Sequence, residues 1–239
     1  MDAPTKPYPR AVAVYCGSSL GKQKAYLKAA ESLGKALAAA ARPLVYGGGS
    51  KGIMGVVSTT VSEAGGKVTG VIPFAMVRAG GEKESVGSPW TVTPGEAIDN
   101  VESIVVGSMH ERKVEMAKRV SAFAALPGGY GTFEEVMEVT TWTQLGIHNK
   151  PVVVLNVLGF FEPLRQLINN GVEENFIQPY NKDIIVFVDG PESREEHESY
   201  DWGRAALKAI DSWEWGGQPL YDWTTPQDGA ASRDTLDAT

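Results

Sequence analysis

Apolar and polar positions along this chain follow two periods: short, saturated apolar runs, and longer stretches with helical spacing. Residues 11–16 (AVAVYC) form an unbroken run rich in β-formers, the pattern of a strand buried on both faces. Residues 21–41 place Tyr26, Leu27, Ala30, Leu33 and Leu37 at helical spacing, and Arg42-Pro43 closes that helix. Residues 44–46 read as a second strand, 53–64 as a helix stopped by Gly65-Gly66, and 68–72 as a third strand. Residues 74–89 lack periodicity and contain Gly80-Gly81, which suggests a mobile loop, with a short strand at 90–92. Residues 101–118 read as a helix and 120–126 as a strand. A glycine turn and a helix to about Gly146 follow. The very apolar 152–157 reads as a strand, 160–170 as a helix, 172–176 as the start of another short helix, and 184–188 as a last strand. Residues 191–210 read as a helix with a charged start.

Strand and helix alternate without an internal repeat. This implies a mostly parallel sheet with right-handed crossovers and helices on both faces, an α/β protein with a single Rossmann-like domain over residues 11–210. Residues 1–10, punctuated by proline, read as a flexible leader. Residues 211–239 change character, with six acids against one base (Arg233), a net of −5, and Trp213, Trp215 and Trp223 in the first half. They suggest an acidic tail whose tryptophans dock on the body and whose end is disordered.

With 239 residues the chain can bury one substantial core. Its 43% hydrophobic and 21% charged residues are a globular balance. No uncharged apolar run approaches the ~20 residues of a membrane span, and the opening MDAPTKPYPR lacks a signal-peptide core. A net charge of −7 argues against a general nucleic-acid binder, yet a few local amides suffice for a small anion. Cys16, the only cysteine, allows no internal disulfide and points to a reducing compartment. A cytoplasmic protein with neither nucleic acid nor membrane as partner is expected.

Three strand ends carry small residues: Gly17-Ser18-Ser19, Gly47-Gly48-Gly49-Ser50 and the stretch 127–132. Ligands of an open parallel sheet bind beyond its C-terminal strand ends, where strand order reverses, so the three together predict a nucleotide-sized pocket. No GxGxxG follows the first strand, which disfavours a dinucleotide dehydrogenase. LPGGYGTFEE (126–135) reads as strand, turn and helix. Gly128, Gly129 and Gly131 would permit positive φ and close approach, and Thr132 sits in a first helical turn, where free N–H groups and the dipole attract a phosphate. A capped turn with Glu134 and Glu135 complementing the dipole accounts for the same residues without a ligand. Arg112 and Lys113 on the preceding helix read, alone, as a basic solvated face with Lys118 and Arg119. An arginine there could bind phosphate or stabilise charge, but it could not give up a proton. His110, His148 and His197 are scattered, and Val114 stands where an HExxH helix needs its second histidine, so neither a metal nor a cofactor is expected. Cys16 reads as a packed small residue.

PGGYGTFEE (127–135) resembles the PGGxGTxxE signature of the Lonely Guy family, the cytokinin riboside 5′-monophosphate phosphoribohydrolases. The likeness extends to CGSS (16–19), YGGGSKGIMG (46–55), GSMHERK (107–113) and TWTQLGIHNKPVVVLN (141–156), and covers roughly residues 10–210. It implies hydrolysis of the N-glycosidic bond of a nucleoside 5′-monophosphate carrying an N6-modified adenine, with AMP as an alternative substrate. The resemblance, not the spacing, selects Glu135 over Glu134 as the catalytic carboxylate, because Glu135 matches the last glutamate of the signature. It likewise brings Arg112 forward, through the MHxRK pattern, as the second catalytic residue. Candidate substrate and phosphate contacts are Gly17, Ser18, Gly48, Gly49, Lys113, Gly128, Gly129, Gly131, Thr132 and Glu134. A homodimer or higher homo-oligomer is also implied. Trp142, Leu145 and Ile147 are candidates for its contact, although their spacing equally permits burial inside one copy. Two other functions compete. Molybdenum-cofactor carriers share this fold and a related glycine turn, but a pure carrier needs no carboxylate near a sugar. Lysine decarboxylase, an older label for such proteins, needs pyridoxal phosphate on a Schiff-base lysine, and no lysine is marked for it.

Overall fold

In the computed structural model, residues 10–78, 100–217, 221, 223 and 235–238 are described. Nine residues of the expected leader, most of the expected 74–89 loop and the short strand expected at 90–92 lie outside them.

Seven strands form one all-parallel sheet: β1 (Val12–Tyr15), β2 (Leu44–Tyr46), β3 (Val68–Pro73), β4 (Val101–Val106), β5 (Ala122–Ala125), β6 (Val152–Asn156) and β7 (Ile185–Asp189). Their order is β4-β3-β2-β1-β5-β6-β7. The chain therefore winds outward from β1 to β4, then returns to the other side of β1 and winds outward again. Reversal falls between β1 and β5, the switch point where parallel sheets open a crevice. Period-two patterning explains the double cover. Val12 and Val14 face a core roofed by α1 (Lys24–Ala39), α2 (Gly52–Glu63) and α7 (Trp202–Asp211). Ala11, Ala13 and Tyr15 face a second core under α4 (Met109–Arg119), α5 (Tyr130–Leu145) and α6 (Glu162–Glu173). The fold is thus the expected α/β Rossmann-like one.

Several elements depart from the sequence reading. Residues 101–118 are not one helix. Val101–Val106 is strand β4, paired in register with β3 from Val68↔Val101 to Pro73↔Val106. Its β-branched VESIVV suits a pleated edge, and Gly107-Ser108 then restarts the chain as α4. Phe74–Arg78 is a short helix, α3, running straight out of β3. Val172 and Glu173 finish α6, which ends at Asn175 with φ +61°, and no new helix starts there. Over 191–210 only a 3₁₀ turn, Glu195–Glu198, and α7 are helical. The Asp201 carboxylate accepts from Arg204 N at 3.0 Å and caps α7.

Trp142 and Ile147 are 6% and 4% exposed within the second core, with Leu145 packed against it. Trp142 and Ile147 hold α5 to its own sheet and leave little surface for the subunit contact suggested by their sequence position. Gly146, with φ +79°, ends α5 in the left-handed conformation. Described residues of the acidic tail pack on that end. Trp223 Nε1 donates to Leu145 O at 2.9 Å, Thr235 Oγ1 donates to Ile147 O at 2.6 Å, and Leu236 is 4% exposed in the second core. Within the tail end expected to be disordered, Thr235–Ala238 forms a 3₁₀ turn through which Leu236 buries its apolar surface, and residues 224–234 and 239 lie outside the described residues. Among the described residues no helix is long and apolar enough to cross a membrane.

Candidate active site

Three loops leave the C-terminal ends of β1, β2 and β5 and lock together through glycines. Gly17 N donates to Pro127 O at 3.1 Å, extending the β1–β5 ladder beyond both strands. A Cβ on Gly128 would stand 2.1 Å from Thr132 Oγ1 and 2.8 Å from the Gly17 nitrogen. Gly52 combines φ +61° with backbone contact, since a Cβ there would lie 2.2 Å from the Ser18 carbonyl carbon. The adjoining Met54 N donates to Gly17 O at 3.2 Å, fastening α2 to the first loop. Positive φ, expected through the 128–131 turn, is absent from Gly128, Gly129 and Gly131. Close approach, not backbone handedness, explains Gly128. At Gly129, the extended N-cap of α5, and at Gly131, a Cβ would meet nothing within 4 Å. Both keep the helix N-terminus uncovered. Thr132, 3% exposed, turns back onto Gly128.

A reciprocal cap starts α4 beside these loops: Ser108 Oγ accepts from Glu111 N at 3.0 Å, and Glu111 Oε2 accepts from Gly107 N at 2.6 Å. It sets the first turn so that Arg112 reaches across to α5, where Nη2 lies 3.2 Å from Glu135 Oε1, each side chain only 11% exposed. The guanidinium rests on Gly47, where a Cβ would meet Nη2 at 2.1 Å. Lys113 turns to the other carboxylates of α5, 2.7 Å from Glu134 Oε1 and 2.8 Å from Glu138 Oε1. Burial pushes the Glu135 carboxyl up to about 7; Arg112 and Lys113 oppose that rise, and Glu134 and Glu138 add to it. Burial pulls the Lys113 ammonium down, but hydrogen bonds to Glu134 and Glu138 and their charges leave it raised. Beneath the pair, burial raises the Tyr15 phenol, with Glu135 and Glu138 adding to it. Burial and then Glu135 raise the Cys16 thiol, so Cys16 is no thiolate nucleophile.

The structure thus brings Arg112 and Glu135 together beside the loops of Gly17, Gly48 and Gly128. Ser18 is exposed on the rim, and Gly49 faces Met54, whose Cε would be 2.7 Å from an added Cβ. Lys113 corrects the sequence expectation: its ammonium points at two carboxylates and not at the glycine turn, because α4 faces the acidic side of α5. Glu134, half exposed, is its partner. Three roles escaped the sequence reading, although Gly47 and Gly52 stood within stretches it singled out: Gly47 as the seat of Arg112; Gly52 as the seat of the first loop; and Glu138, four residues after Glu134 and so on the same helical face, as a second partner of Lys113. Among the histidines, His148 lies between the Phe123 and Trp142 rings, and burial, then Lys150, lower it to about 3. His197 Nδ1 accepts from Leu158 N at 3.1 Å, and its Nε2 donates to Pro191 O at 2.9 Å. Both are structural. A carboxyl that titrates near neutrality, facing a fixed cation beside an uncovered helix N-terminus, is equipped to move a proton next to a bound anion.

Comparison with known proteins adds the chemistry. Residues 54–196 match a family model described as "Possible lysine decarboxylase". A probable cytokinin riboside 5′-monophosphate phosphoribohydrolase of Oryza sativa subsp. japonica is 44% identical over 92% of this chain and 86% of its own. A cytokinin riboside 5′-monophosphate phosphoribohydrolase of Arabidopsis thaliana is 48% identical over 74% of this chain and 76% of its own. Among solved structures, the molybdenum cofactor binding protein of Rippkaea orientalis has a TM-score of 0.53 at 20% identity, covering 86% of this chain and 97% of its own. The molybdenum cofactor carrier protein of Chlamydomonas reinhardtii also has a TM-score of 0.53, at 19% identity over 86% of this chain and 100% of its own. At those identities the solved structures speak for the fold alone.

Proposed function

We propose that this protein, which belongs to the cytokinin riboside 5′-monophosphate phosphoribohydrolase family, hydrolyses the N-glycosidic bond of such nucleotides. The products are the free base and ribose 5-phosphate, and AMP is an alternative substrate. The observation that carries the reading is the Arg112–Glu135 pair, nine-tenths buried and 3.2 Å apart beside the glycine turn.

The 5′-phosphate takes the N-terminus of α5, where Gly129 and Gly131 leave the amides open and Gly17, Ser18, Gly48 and Gly49 complete the rim. C1′ then lies toward Glu135. As the C1′–N9 bond breaks, its electron pair leaves with the base and the ribose acquires oxocarbenium character. The Glu135 carboxylate stabilises that cation and takes a proton from the water whose oxygen bonds C1′; that proton then passes to the leaving base, which departs neutral and leaves Glu135 a carboxylate again. Arg112 stays charged throughout, holding Glu135 in place and countering negative charge on the substrate.

Burial with Arg112 opposite suits Glu135 to this role, because its carboxyl changes charge near neutral pH. A decarboxylase reading lacks such support, since Lys113, the lysine of this cluster, is engaged by Glu134 and Glu138. We infer also that two copies pair, through surfaces other than Trp142 and Ile147. Light scattering showing only a 25.6 kDa particle at micromolar concentration would refute pairing. The reaction is tested by incubating the protein with AMP, isopentenyladenosine monophosphate and adenosine, then separating the products. Free base and ribose 5-phosphate are expected from both monophosphates. Adenosine should react ~10²–10⁴-fold more slowly in kcat/KM, for loss of two charge-assisted hydrogen bonds. Equal turnover of adenosine and AMP would remove the phosphate cradle.

A further inference from the structure

We propose that Lys113 is a positioning residue of this reaction: by holding Glu134 and Glu138 with one ammonium it fixes the seat of α4 on α5 in which Arg112 meets Glu135. The inference rests on the proposed function but can fail separately from it.

Three carboxylates stand on one side of α5 within five residues, Glu134, Glu135 and Glu138, and α4 answers them with two cations, Arg112 and Lys113. The two helices rest on different halves of the sheet, α4 over β2, β3 and β4, and α5 over β1, β5 and β6. The ion pairs therefore join the helix over β2, β3 and β4 to the helix over β1, β5 and β6, and a small shift of one against the other changes the Arg112–Glu135 distance. Lys113 makes the tighter part of the crossing, with contacts of 2.7 and 2.8 Å against 3.2 Å for Arg112. Its side chain is 18% exposed, and that of Glu138 is 22% exposed, so this crossing is better sheltered than an ordinary surface pair. Arg112 is less fully engaged, its buried Nε having no hydrogen-bond partner. With all three donors of an ammonium available, Lys113 can serve two carboxylates at once; a planar guanidinium has a different geometry.

The clamp also sets the charge around Glu135. The groups that face it are Arg112 and Lys113 from α4, Glu134 and Glu138 from α5 itself, and Tyr15 and Cys16 from β1. Without Lys113, two uncompensated carboxylates remain beside Glu135, and ionising a third becomes harder. Without Glu138, Glu135 ionises more easily. The two substitutions must therefore shift its titration in opposite directions, which a purely structural lysine would not do.

The test measures kcat and KM for AMP from pH 5 to 9 in the wild type, Lys113→Met, Lys113→Arg, Glu138→Gln and the triple variant Lys113→Met/Glu134→Gln/Glu138→Gln. In parallel, NMR of protein labelled with ¹³C-glutamate follows the Glu135 carboxyl without turnover. Lys113→Met is expected to lower kcat about 10- to 100-fold through misplacement of the pair, with KM changed less than about threefold. It should raise the acid limb of kcat, and the NMR titration, by about one pH unit, the size of one neighbouring charge. Glu138→Gln should lower both. The triple variant should return both toward wild type, and Lys113→Arg should retain most of kcat. A raised KM with kcat intact for Lys113→Met would make Lys113 a phosphate ligand and overturn the proposal. Titrations unmoved in both Lys113→Met and Glu138→Gln would overturn it too. If wild type releases no base from AMP or isopentenyladenosine monophosphate while the opposite NMR shifts appear, the reaction assignment fails and the clamp stands.

Discussion

The one sheet ends in two unlike rims. Beyond β6 and β7 the polar groups answer one another. Asn156, 4% exposed, accepts from Phe161 N at 2.7 Å and donates to Asp189 Oδ1 at 2.8 Å. Arg165 then meets both Asp189 oxygens at 2.6 and 2.7 Å, reaches Glu162 at 3.0 Å, and lies over the Phe187 ring. Beyond β1, β2 and β5 the arrangement is the reverse. One 3.2 Å contact joins Arg112 to Glu135, both are more deeply buried than the Arg165 pair, and Arg112 Nε and Glu138 Oε2 have no hydrogen-bond partner. Desolvated charge with incomplete pairing costs stability, so its presence at the switch point is a sign of use. A completed network holds a fold, and an incomplete one leaves valences for a substrate.

Glu135→Gln tests this contrast hardest. It should retain the fold and lower kcat by about 10²–10⁴-fold, for loss of charge opposite a developing cation. Glu134→Gln should be much milder, and Asp189→Asn should leave kcat within about twofold. Comparable losses in kcat from Glu135→Gln and Asp189→Asn would erase the distinction between the rims.

Next come two glycines of the open rim. Gly128→Ala would force a Cβ onto Thr132 Oγ1 and the Gly17 nitrogen, and should cost about 1–3 kcal/mol of stability through overpacking. Gly129→Ala meets no atom within 4 Å and should shift stability by under about 0.5 kcal/mol. Urea midpoints of the two variants separate the cases, and equal values would show that the loops do not lock as described.

The pH dependence of stability comes next. Glu135 has its carboxyl raised in the folded state, so its contribution is intact below the usual carboxylate range and is lost as pH climbs toward about 7. Glu135→Gln should therefore gain stability on the wild type by about 1–3 kcal/mol between pH 5 and pH 8. A difference that is flat with pH would mean that burial does not strain this group. The smallest effect belongs to the closed rim. Asp189→Asn loses a half-exposed pair and should cost no more than about 1 kcal/mol in thermal or urea unfolding.

Much of this molecule was written locally. Unbroken runs such as AVAVYC and VVVLN can only be strands covered on both sides, and glycines at three strand ends pointed to the loops that meet. Local pattern misread VESIVV, because alternating polarity at a sheet edge is weak and a helix follows within three residues. It gave positive φ to the 128–131 turn, where crowding was the actual constraint. Whether Trp142 and Ile147 faced a partner or their own sheet was open in the sequence, since helical spacing defines a stripe but not what covers it.

The sequence by itself determined six of the seven strands and most helices, the glycine turn and the presence of Arg112, Lys113 and the glutamates of α5. Those follow from periods and residue types within a few positions of each other. Tertiary structure alone decided which cation meets which carboxylate, that Gly47 seats a guanidinium, and that Glu135 is desolvated enough to titrate near 7. Pairing and burial depend on how α4, over β2, β3 and β4, lies against α5, over β1, β5 and β6. Parts of the chain over twenty residues apart meet there, and no local pattern encodes their distance.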